Sequence, residues 1–216
     1  MPLVLFDKKE KSHLVKVLQK HTQALRMCLS TDADGHFLGS IASNFKLAST
    51  FGISEDRFLA FFSEEGPNEY LEALSFIRGI SGFLGQTESE FIFKIFFFSG
   101  NFSPKNIGFS SNEKDILQKK LRHSVLEFRD IERYRSGRGL DGQYGPYLTK
   151  NELASRAGWS VDVVTSLLGI EPYPEFISSM ELVFLLSKGL DMNPSDLVNR
   201  LFTWYRMKTM SEKDYI

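Results

Sequence analysis

Leu47–Ser54 reads LASTFGIS, and Leu153–Ser160 reads LASRAGWS, 106 residues later. The register holds without a gap from Leu47–Phe96 to Leu153–Phe202, with identities that include Leu47/Leu153, Ala48/Ala154, Gly52/Gly158, Ser54/Ser160, Asp56/Asp162, Leu84/Leu190 and Phe96/Phe202. Apolar character is also kept at Phe58/Val164, Phe61/Leu167, Ile77/Val183 and Ile95/Leu201. A repeat of this length restricts the chain to folds in which one local design is used twice. The kept apolar positions recur at three and four residues, so the design is helical. Upstream the match needs a small slip, with LVKVLQKHTQALR from Leu14 lying over LQKKLRHSVLEFR from Leu117.

The 216 residues, 42% of them hydrophobic, suffice for one large core or two small ones of roughly 100 residues each. A Gly/Ser/Asn/Pro stretch, SGNFSPKNIG at Ser99–Gly108, separates the copies. The expected fold is all-α, with two tandem helix-turn-helix units at 1–100 and 107–206. Each is expected to be a small bundle of about five helices led by a long one.

The repeated phrase has a local physical reading. In Lys150–Leu168, a short helix ends at Gly158, which lacks a Cβ and can take the left-handed conformation that a tight turn needs. Ser160 then offers a side-chain oxygen to cap the next helix. Leu153, Ala154, Ala157, Trp159, Val164 and Leu167 fall where two crossing helices bury side chains. The first copy meets the same requirements with Leu47, Ala48, Phe51, Gly52, Ile53, Ser54, Phe58 and Phe61.

From about Leu148 to Phe202 the sequence resembles the phage-repressor or Cro-type domains, the lambda-repressor-like (Xre) helix-turn-helix family. LTKNELASRAGWS is followed by a proline-bearing loop, EPYPEF, and then by SMELVFLLSKGLDMNPSDLVNRLF. Over Phe45–Phe96 the likeness rests on the repeat. The resemblance implies that the start of the second helix enters the major groove of double-stranded DNA. Carried over, the groove-facing residues are Ser160, Val161, Asp162, Thr165 and Ser166, and in the first copy Ser54, Glu55, Asp56, Leu59 and Ala60. It also implies a homodimer reading two half-sites.

Charge divides the two copies from their surroundings. Lys46–Glu72 has a net charge of −4 and Lys150–Glu181 of −3, both departures from a DNA-reading surface. Lys114–Arg138 has a net +4, and ends in the Arg/Gly/Tyr-rich RYRSGRGLDGQYGPY. This segment reads either as a phosphate grip or as a solvated helix face followed by a loop. As a grip it offers Lys119, Lys120, Arg122, Arg133, Arg135 and Arg138, with Lys150, Asn151, Arg156, Ser160, Thr165 and Ser166 placing a recognition helix beside it. Phe58, Leu59 and Phe62 of the first copy read either as core or as an interface with a partner. The expected function is therefore a DNA-binding transcriptional regulator acting by occupancy of a promoter or operator. The alternative is a protein-interaction module, an antirepressor, adaptor or antitoxin-like protein, whose partner is another regulatory protein.

Other chemistry finds little footing. A net charge of −1 rules out indiscriminate binding to polyanions. Cys28 is the single cysteine, so there is no internal disulfide or Cys-pair zinc site, and a reducing, cytoplasmic setting is expected. No apolar run is long enough for a membrane span, and MPLVLF lacks the pattern of a signal peptide. STDADGHFLGSI at Ser30–Ile41 has Asp32, Asp34 and Gly35 at calcium-loop positions, but Ser30 and Ile41 stand where acids are required. His13 and His21 are eight residues apart on one helix, too far to share a metal. SGRGLDG has neither the lysine nor the spacing of a phosphate loop. No enzyme activity, metal or cofactor is expected.

Overall fold

The computed structural model describes residues 6–65, 67–97, 108–136 and 147–213, except for the side chains of 97, 134, 136 and 204–213. The fold is all-α. Its helices are α1 (Lys8–Cys28), α2 (Asn44–Phe51), α3 (Glu55–Ala60), α4 (Glu69–Phe83), α5 (Glu88–Phe97), α6 (Ser111–Ser136), α7 (Lys150–Ala157), α8 (Val161–Leu167), α9 (Pro174–Gly189) and α10 (Pro194–Lys213). The described residues contain no strand, only an isolated bridge between Thr31 and Phe37.

Caps set most of the boundaries, and they repeat. α1 starts at Asp7, whose carboxylate accepts from the Glu10 amide while Glu10 accepts from the Asp7 amide. α6 starts in the same way 103 residues later, with Ser110 and Glu113 exchanging these bonds, which is the slip the upstream alignment required. α2 and α7 begin at Ser43 and Thr149 and end at Gly52 (φ 70°) and Gly158 (φ 64°), both left-handed. Ser54 and Ser160 then accept from the Arg57 and Val163 amides to cap α3 and α8. Each such cap contributes about 1 kcal/mol. The turn after α4 also has a positive-φ residue, Gly85, and its counterpart after α9 is Asp191.

The division into compact units differs from the sequence expectation. Among the described residues, one unit is Phe76–Ser178; the other joins 6–75 to those from Ser179 onward. Neither coincides with 1–100 or 107–206, and both α4 and α9 begin in one unit and end in the other. In the first unit, α5 of the first repeat packs on α6 of the second. There Lys120 Nζ donates to the Ile95 carbonyl at 2.9 Å, and Lys94 pairs with Glu127 at 3.4 Å. Phe83 lies 4.8 Å from Phe128 and 5.1 Å from Trp159 between ring centroids, and Phe76 packs on Tyr173 and Phe176. In the second unit, α10 packs on α1, and Phe51 of α2 fills the space above Gly189 of α9.

Each leading helix is thus covered by the last helix of the other repeat. The residues at these contacts vary reciprocally. Phe51 corresponds to Ala157 and Phe83 to Gly189, so each unit has one large and one absent or small side chain at the equivalent pair of sites. An apolar helix face demands a partner of the right shape, and two copies of one sequence offer two such partners.

Candidate nucleic-acid interface

The α7–α8 pair is held in its unit by an apolar inner face. Leu153, Ala154, Trp159, Val163, Val164 and Leu167 are buried. The outer face of α8 is open, with Ser160, Val161, Asp162 and Thr165 exposed. Lys150 and Asn151 are exposed at the start of α7. The Thr149 amide and hydroxyl, together with Arg156, hold the Glu152 carboxyl below the usual carboxylate range.

A buried amide fixes where α8 ends. Gln118 of α6 has no exposed surface; its Nε2 donates to the carbonyls of Ser166 (3.1 Å), Leu167 (3.4 Å) and Gly169 (3.2 Å). Its Oε1 accepts from the Tyr173 amide at 3.0 Å. In the other unit Asn68 does the same for α3: it donates to the Phe61 and Ser63 carbonyls and accepts from the Tyr70 and Leu71 amides. The repeat counterparts of these two residues are Val15 and Pro174, neither of which can do this. The same four-way connection is therefore made once from a loop and once from a leading helix. In the sequence, its one signal is a lone glutamine beside the apolar stripe of Leu117 and Leu121.

The cations proposed from sequence have separate fates. Lys119, Arg122 and Lys150 are exposed, and the described residues show no ion pair for them. Arg135 and Arg156 share one carboxylate, that of Glu132, at 3.1 and 2.6 Å. Arg133 lies over the Tyr147 ring, 4.0 Å from its centroid, and Arg129 at 5.6 Å, giving a stacked pair that charge counting cannot reveal. Lys120 is engaged at the end of α5, and burial pushes its pKa down. Ser160 Oγ caps α8, and Ser166 Oγ donates back to the Asp162 carbonyl. Arg138 lies outside the described residues.

The first copy differs at the same surface. Phe58 is 2% exposed and belongs to the core, packed between Phe51 and the edge-to-face ring of Phe62, whereas Leu59 is 44% exposed and Phe62 half-buried. Of the carboxylates at the start of α3, Asp56 is exposed and Glu55 half-buried. α1 is a further cationic element, with a net charge of +5 that the run Lys8, Lys9, Lys11, Lys16, Lys20 signals in the sequence. His21 of α1 has its pKa lowered by burial and by Arg200 and Lys20.

Asp32, Asp34 and His36 each bring a ligand atom within 4.8 Å of the others, all exposed. The Asp32 carboxylate accepts from the Asp34 and His36 amides, so turn closure accounts for the cluster. No helix among the described residues is long and apolar enough to cross a membrane. No protein-family model matches the chain, and no curated protein or solved structure matches it.

Proposed function

We propose that the chain is a DNA-binding regulator that reads duplex DNA with α7–α8 and acts by occupying a promoter or operator. The observation that carries this reading is the open outer face of α8, set on a helix pair whose inner face is fully packed. Side chains there have the chemistry of base-edge readers. Ser160 and Thr165 present hydroxyls, Asp162 can accept from a cytosine amino group, and Val161 can meet a thymine methyl. Lys119, Arg122 and Lys150 supply the phosphate contacts, with Arg133 held in place by Tyr147. Arg135 and Arg156 contribute less, because Glu132 already neutralises them.

The test is recovery of fragments from sheared genomic DNA at low and moderate salt. The expected result is a small set of enriched sites that persists at moderate salt. A Lys119→Ala/Arg122→Ala/Lys150→Ala variant should lose affinity evenly across those sites, with a salt slope smaller by about 2–3. Thr165→Ala should instead change the preference among sites. Recovery that is equal for all fragments and vanishes with salt would sink this reading.

A further inference from the structure

The α1–α3 side of the second unit has an open cleft of about 500 Å³. One wall is apolar and comes from α3, with Leu59 and Phe62 above the buried ring of Phe58. The other wall is the polar face of α1, where Gln19, Lys20 and Gln23 are exposed. Arg26 closes the floor and is fixed there by bonds to the Ala42 carbonyl and Asn44. No carboxylate among the described residues lines the cleft, and Lys20 stands exposed on its polar wall. At its end, Asn44 is followed by Phe45, whose side chain is 69% exposed.

We propose that this cleft docks an amphipathic helix of a partner protein, with apolar side chains against Leu59 and Phe62 and carboxylates along the flank that faces Lys20. Exposed Leu59 and half-buried Phe62 beside a polar wall match the way such helices lie in grooves. Lys20 on that wall selects for acid on the flank that faces it. Duplex DNA fits poorly, because its charged backbone offers no apolar surface to cover Leu59 and Phe62. The inference does not depend on α8 reading DNA, since it concerns different residues in the other unit.

The test is fluorescence anisotropy of the full chain with labelled sixteen-residue helical peptides. One has leucines at i, i+3 and i+7 with glutamates along one flank; the other has lysines in their place. Saturable binding that favours the glutamate peptide is expected, weakened about tenfold by Leu59→Asp. Lys20→Glu should reverse the preference toward the lysine peptide. Both substitutions are at exposed positions, so unchanged helicity and melting are expected alongside. The proposal is overturned by absence of saturable binding, by equal affinity for both peptides, or by binding indifferent to both substitutions. Competition by a short DNA duplex that survives Leu59→Asp would assign the cleft to nucleic acid and overturn it as well.

Discussion

Gly189→Ala is expected to destabilise the protein by about 3 kcal/mol, lowering Tm by on the order of 10 °C in thermal unfolding followed by circular dichroism. At an ordinary helical site the same change stabilises by about 0.5–1 kcal/mol. Here a Cβ would stand 2.0 Å from Phe51 Cδ1 and 2.3 Å from Cε1. The Phe51 ring is 6% exposed and packed 5.6 Å from Phe58, so it has no free space to swing into. Overpacking therefore outweighs helix propensity. In a Phe51→Ala background the clash is gone, and Gly189→Ala should become neutral or favourable, a coupling of about 3 kcal/mol in the double-mutant cycle. A Gly189→Ala protein as stable as its parent would show that Phe51 and Gly189 do not meet.

Gln118→Leu should produce a loss of similar size, about 3 kcal/mol, for the opposite reason. Leucine fills the volume but leaves the Ser166, Leu167 and Gly169 carbonyls and the Tyr173 amide without this partner. Hydrogen exchange should quicken at the Tyr173 amide, which loses its acceptor. Gln118→Glu keeps the acceptor but removes the donors and buries a carboxylate, which raises that group's folded-state pKa above its unfolded value. Over that interval the folded state binds more protons than the unfolded state. The variant should therefore be least stable at neutral pH and gain stability as pH falls. A Gln118→Leu protein with parental stability and exchange would show that this amide does not hold the end of α8.

Several features of the fold are legible in the sequence because they are local. Gly52, Gly158, Ser54 and Ser160 state their roles through the conformation or cap each residue type favours, and the helices begin and end accordingly. The partner of each leading helix is not local. A helix face patterned for an apolar neighbour accepts α5 or α10 equally until side-chain volumes are compared across copies, as at Phe51/Ala157 and Phe83/Gly189. The site was legible to the same degree. The open residues of α8 follow from helical period, but Glu132 engaging two arginines and Tyr147 stacking under two more are distances, which a charge count does not contain.

The exchange also accounts for the retention of the first copy. Glu55, Asp56, Leu59 and Ala60 make α3 a poor reader of DNA, yet Leu47, Ala48, Phe51, Phe58 and Phe61 are buried in the unit that receives α10 and the end of α9. Losing α2–α3 would leave helices of the second repeat without their core. The cleft beside Leu59 lies on the outer side of that scaffold.

The two repeats complete each other's cores by exchanging their last helices. The most direct measurement inserts a protease site within 98–107 of the full chain, cuts it, and follows the product by size-exclusion chromatography and unfolding. The two pieces are expected to stay together as a one-to-one species, keep the helicity of the intact protein, unfold in one transition, and acquire a concentration-dependent Tm once cut. Two pieces that separate in native buffer and each remain folded would contradict it, and would restore the picture of two self-sufficient tandem bundles.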